Sequence, residues 1–237
     1  MNVIAAAAIV VATIASYIVG ALIFIPWLTP ILNTCAAFPF MVAALRRGHL
    51  RTAVERMLIW AAAMAVCATM VAFLAPSVAG RAFVNGDAYR TEMFTWVMTG
   101  RGVESTPSVF IPRHLRDAAL FSGLALASGG ALAMPMGAVL VNQMGTYVGS
   151  LAATSARPGV TLALAWHPWA VIRVVSFVIL GVVLSAPLLA RVFRFRVDWQ
   201  MARRLAAGAL AGLLVDVTLK AVAAPAWQRM LQRAAGW

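Results

Sequence analysis

The sequence predicts an all-α fold, a polytopic transmembrane helical bundle of about six spans. Three observations predict it. Of 237 residues, 63% are hydrophobic and 11% are charged, against about 25% charged in an ordinary soluble domain. Apolar stretches of about 20 residues recur, the helical length that crosses about 30 Å of hydrocarbon. Finally, all but one of the arginines gather between or beside these stretches, as the loop anchors of membrane proteins do.

The first expected span covers residues 3–28, closed by Pro26-Trp27 and Thr29-Pro30, because proline interrupts the helical ladder and tryptophan suits the interface. Its apolar run is about twice the length of a signal-peptide core, so it reads as a retained span. Residues 31–45 are apolar but short and contain Pro39, which suggests a kinked continuation of the first helix, a half helix or an interfacial segment. Arg46, Arg47, Arg51 and Arg56 follow against a single Glu55, a cytoplasmic signature by the positive-inside rule.

The second span is expected at 57–76. Residues 77–116 form the long polar segment, with five arginines set against Asp87, Glu92 and Glu104, and are expected as an outer loop. Breaks at Gly129-Gly130, Arg157-Pro158-Gly159 and His167-Pro168 then divide the chain into spans 117–133, 134–154 and 168–190. A second basic cluster, from Arg191 to Arg204 against Asp198, returns to the cytoplasmic side, and the last span covers 205–225. This partition makes one membrane domain with both termini outside. If residues 31–45 also cross, the amino terminus moves inside and the count becomes seven.

The formal charge of +12 comes from 18 Arg and one Lys against seven acids. Without an aromatic and basic surface module, this predicts anionic lipid head groups as partners rather than nucleic acid. Cys35 and Cys67 lie within apolar segments, unlike a disulfide or zinc framework. The sequence lacks GxxxxGK[ST], HExxH and GxSxG, the spacings of a phosphate loop, a zincin and a serine-nucleophile elbow. No cofactor or metal is indicated. Gly145 and Gly149, like Gly208 and Gly212, have the four-residue spacing that lets helices approach closely, within the bundle, in a homo-oligomer or against a partner membrane subunit.

Two groups of residues are candidates for chemistry. Inside spans, ionisable groups cost about 2.5–3.5 kcal/mol each at the helix centre, which singles out Arg173, Asp216 and Lys220. Asp216 and Lys220, four apart, are spaced to form an ion pair, and Arg173 is placed to snorkel outward. Asn33, Asn142 and Gln143 would complete a polar, substrate-binding pocket. On the outer side His114, His167, Glu92, Glu104 and Arg113 are the catalytic candidates, His moving a proton and Arg holding an anion. Solvation and an interfacial aromatic belt explain the same outer residues without catalysis.

The favoured expectation is therefore a small-solute or ion transport or binding component without its own nucleotide motor, not an enzyme, in a bacterial-type inner membrane. The alternatives are an assembly subunit of a membrane complex and an enzyme working at the outer interface.

Overall fold

In the computed structural model, which describes residues 3–237, the chain is helical, with no strand among the described residues. Ten helices follow in order: α1 (Val3–Ile23), α2 (Leu28–Arg46), α3 (Leu50–Leu74), α4 (Pro76–Ala82), α5 (Gly86–Thr99), α6 (Pro107–Ser128), α7 (Ala133–Ala153), α8 (Pro158–Ala165), α9 (Pro168–Phe193) and α10 (Trp199–Ala235). A 3₁₀ turn, Val103–Ser105, separates α5 from α6. Five of these helices, α1, α2, α3, α9 and α10, are long and apolar enough to cross a membrane. The protein is thus an integral membrane protein by the length and composition of its helices.

Prolines and left-handed residues set the boundaries. Pro76, Pro107, Pro158 and Pro168 each stand in the first turn of a helix, where the missing N–H would be unbonded anyway. Gly129 and Gly130, at φ +60° and +91°, turn α6 back into α7, a conformation that side chains rarely adopt. Asp198 caps α10 by accepting the Met201 N–H at 2.9 Å, satisfying one orphan donor of the first turn.

The segment expected as a half helix, residues 31–45, belongs to the 19-residue α2, which runs through Pro39. Gly20 of α1 packs on Thr29, and four residues away on each helix Ser16 hydrogen-bonds Asn33. That register makes α1 and α2 an antiparallel hairpin. Helix α3 and helix α7 instead run parallel, Gly145 resting on Ala68 and Gly149 on the backbone of Thr69.

Each residue of α7 from Met144 to Ala152 is buried, so this helix is surrounded by protein rather than lipid. Asn142, Thr146 and Ser150 along it are accordingly tolerated, whereas lipid-facing positions would penalise them.

Two ends result. At one, Arg46 lies over the Phe193 ring, 5.0 Å from its centroid, and residues 48–52 border Asp198 and Met201. At the other, Arg81 lies over Phe24 at 4.8 Å, and Ala156 donates its N–H to Ala235 at 3.0 Å. The segment 77–116, expected as an outer loop, sits at this second end and is largely helical, as α4, α5, the 3₁₀ turn and the first turns of α6.

At 37 residues α10 is about 55 Å long, well beyond one bilayer core. Its last turns extend past the span to dock on the polar segment and on α8. Gln228 donates to the Val97 carbonyl at 2.6 Å, Gln232 to Met98 at 2.7 Å, and Trp227 to Leu164 at 2.8 Å.

This arrangement makes a labelling prediction. In a variant lacking Cys35 and Cys67, His49→Cys and Asp198→Cys should be modified from the same side of the membrane, and Thr95→Cys from the opposite, outer side. An impermeant maleimide applied to sealed vesicles reads this. Labelling of positions 49 and 198 from different sides would contradict the shared end.

Candidate functional site

The charged residues of α9 and α10 meet those of the polar segment at the end opposite the two arginine loops. The antiparallel packing of α9 and α10, with Gly212 against Ser176, brings Arg173 beside Asp216. The guanidinium donates twice, Nε to Oδ2 at 2.9 Å and Nη2 to Oδ1 at 3.0 Å. Asp216 is 1% exposed.

One turn further, Lys220 is fully buried and donates to Oε1 of Glu104 in the 3₁₀ turn at 2.7 Å. Its ammonium also stands 4.5 Å from the centre of the Phe110 ring, a cation-π contact. The expected pairing of Asp216 with Lys220 is therefore replaced by two pairings across elements, and Arg173 turns to a carboxylate instead of snorkelling. A bidentate fork on a facing helix outcompetes the i,i+4 contact, which brings no matched geometry.

His114, on the first half of α6, shares this neighbourhood. Its Nδ1–H donates to the Phe110 carbonyl at 2.7 Å, while its Nε2 is buried without a partner. Burial, followed by the positive charges of Arg173 and Lys220, pushes its pKa down to about 4.

His167 caps α9 at 1% exposure, inside the bundle rather than at its surface. Its ring stacks on Trp169 at 4.6 Å, meets Trp96 edge-on at 5.4 Å, and presents Nε2 to the Tyr147 hydroxyl at 3.4 Å. Burial is the largest cause that moves its pKa, down to about 3, with Lys220 and Arg173 acting the same way. For Glu104 burial acts upward, but Lys220 and Arg173 outweigh it and hold the carboxyl below its ordinary value.

Glu92 of α5 and Arg113 of α6 form a more open pair at 3.0 Å. The catalytic candidates Glu104, His114 and His167 and the binding candidates Arg173, Asp216 and Lys220 thus share one electrostatic neighbourhood.

Asn142 and Gln143 make their contacts elsewhere. Asn142 accepts from Tyr17, next to the Ser16 and Asn33 pair, and Gln143 donates to the Val84 carbonyl at 3.2 Å. The side-chain amide nitrogens of Asn33 and Asn142 are buried and unpaired within the chain. Beyond them, toward the arginine loops, the interior becomes apolar. A cavity of about 60 Å³ there is bordered by Met41, Met57, Met64, Met134, Phe121 and Phe177, with no polar surface facing it.

Tyr147 and Phe110 enter the site without having been singled out by the sequence, which offers no spacing that marks them. Among the described residues, no group of three or more His, Cys, Asp or Glu side chains is placed to hold a metal. Compared with protein-family models, with curated proteins and with solved structures, the chain finds no match.

The charge states set a pH dependence. Folded His114 and His167 resist protonation between their ordinary value near 6.5 and about 4 or 3, while the unfolded chain takes up those protons. Stability therefore falls as pH drops through that window. Glu104, held low, stabilises above its unfolded value and loses that contribution as pH falls through its folded one. All three groups act in the same direction. Thermal stability in detergent should decrease steadily from pH 7 to pH 4.5, and His114→Asn should flatten the slope. A pH-independent wild type would contradict the assigned charge states.

Proposed function

We propose that this chain is an integral-membrane binding or transport component for a small solute or ion, with the ionic cluster as its polar site and no nucleotide motor of its own. One observation carries the reading. A buried lysine, a partly exposed arginine and two buried carboxylates pair between transmembrane helices and a polar turn, with His114 and His167 beside them. Ionisable groups in a membrane domain are costly, and they mark solute, ion or proton pathways. Arg173, with its side chain 23% exposed, leads from the cluster toward the outside.

Ligand-dependent stabilisation tests this, because a solute at a hundred times its Kd adds about 2.7 kcal/mol to the folded state. A panel of small inorganic ions, carboxylates, amino acids and sugars is scored by the melting temperature of the purified protein. A ligand that stabilises wild type but neither Glu104→Gln nor His114→Gln supports the site. Equal stabilisation of all three places binding elsewhere, and a panel without hits counts against the reading.

The catalytic alternative draws on the convergence of His114, His167 and Glu104, but burial of His167 and Glu104 leaves a substrate no direct approach to them. An assembly role draws on the exposed apolar face of α10 at Leu210, Leu214 and Val222, a face that suits lipid equally well.

A further inference from the structure

The end opposite the ionic cluster carries a second feature. Two loops far apart in sequence come together there, joined by Arg46 over Phe193 and by packing of Phe195, Val197 and Met201 on the core that includes Leu45 and Leu50. Three arginines of the first loop, Arg46, Arg47 and Arg51, and five of the second, between Arg191 and Arg204, are exposed.

Two acids face this charge. Glu55 pairs with Arg51 at 3.4 Å, and the Asp198 carboxylate caps α10. Between the loops lies a notch of about 290 Å³ bordered by Gly48, His49, Leu50, Arg51, Thr52 and Asp198. Exposed Val192, Phe193 and Trp199 stand among the arginines.

We propose that this surface is a binding platform for anionic phospholipid, holding phosphate head groups of the leaflet at that end of the bundle. Charge complementarity names an anion. The apolar residues and the position at the ends of α2, α3, α9 and α10 name a lipid rather than a soluble polyanion, since Trp and Phe beside Arg match the interface between head groups and chains. Guanidinium groups bind phosphate with two donors at once, and each basic residue near an anionic surface contributes about fivefold in partitioning. Because the two loops act as one surface, substitutions in either should weaken the same bound lipid.

The test reconstitutes the full chain into nanodiscs of phosphatidylcholine alone or of equal parts phosphatidylcholine and phosphatidylglycerol. Lipids that stay with the protein after transfer to detergent are then counted by mass spectrometry. Wild type should retain phosphatidylglycerol in preference to phosphatidylcholine and melt at a higher temperature in the mixed discs.

The combined Arg47→Gln, Arg194→Gln, Arg196→Gln variant should lose at least about tenfold of that preference. The corresponding triple Lys variant, which keeps the charge and the membrane orientation, should retain most of it. A triple substitution at the other end, Arg90→Gln, Arg101→Gln, Arg229→Gln, should leave it unchanged. Equal retention of the two lipids by wild type would overturn the proposal, as would equal loss in the two glutamine variants. Tighter binding of a short duplex DNA than of phosphatidylglycerol would overturn it in favour of a nucleic-acid surface.

Discussion

Arg173→Ala should lower the stability of the folded protein by about 3–5 kcal/mol, the cost of stranding a buried charge whose partner has been removed. The stranded group is Asp216, 1% exposed, which loses two hydrogen bonds at 2.9 and 3.0 Å. Lys220→Ala should be similarly severe, because Glu104 keeps a buried carboxylate without its cation. Removing both members of a pair behaves differently. Arg173→Met with Asp216→Leu replaces two desolvated charges by apolar volume, and such exchanges are commonly neutral or stabilising.

The measurement is a double-mutant cycle on melting temperature, run for Arg173 with Asp216 and for Asp216 with Lys220. Strong coupling is expected in the first cycle and weak coupling in the second. Reversal would restore the i,i+4 pair that the sequence spacing suggests. Both double variants should also lose any ligand stabilisation, even where the fold survives.

The second large effect concerns the seam between α3 and α7. A side-chain carbon at Gly149 would run into the Thr69 carbonyl oxygen, and one at Gly145 into Ala68. These obstacles are backbone and a minimal side chain, so neither can swing away. Gly149→Val should cost at least about 1–3 kcal/mol, the usual penalty of overpacking, and Gly145→Val a comparable amount. Gly123→Ala and Gly208→Ala, in helices where nothing lies within 4 Å, should be neutral or gain up to about 1 kcal/mol of helix propensity. Size-exclusion profile and melting temperature in detergent separate the two groups. A well-folded, fully stable Gly149→Val protein would contradict the close parallel packing of these helices.

The contrast between α3 and α7 explains what the sequence made legible. Helix α3 shows a continuous apolar run after an arginine cluster, because much of it must satisfy lipid, and the same is true of α9. Helix α7 lies inside the bundle, so Asn142, Gln143, Thr146 and Ser150 dilute its apolar signal without weakening its place in the fold. Helix α2 was obscured by Pro39, which ordinarily ends a helix, but here the helix continues through it.

In the site, Arg173, Asp216 and Lys220 were conspicuous because charge inside an apolar run is expensive. Their partners were not. Glu104 lies 116 residues from Lys220, in a segment where a glutamate ordinarily signals solvation, and Arg173 meets Asp216 through the register of a hairpin that no local spacing encodes. His167 looked interfacial because Trp166 and Trp169 flank it, yet the aromatic rings around it enclose it instead.

Helix α10 is one uninterrupted rod carrying three attachments in series. Met201 and Leu205 pack its base on the core, Asp216 and Lys220 tie it to α9 and to the 3₁₀ turn, and Gln228 and Gln232 are bonded to the end of α5. A rod held at three points cannot tilt at one without shifting the others. Displacement of its base is therefore resisted by the salt bridges about two dozen ångströms along the helix. Pro225, which removes one backbone donor just beyond Lys220, gives the rod its weakest joint between the salt-bridged segment and the docked tip.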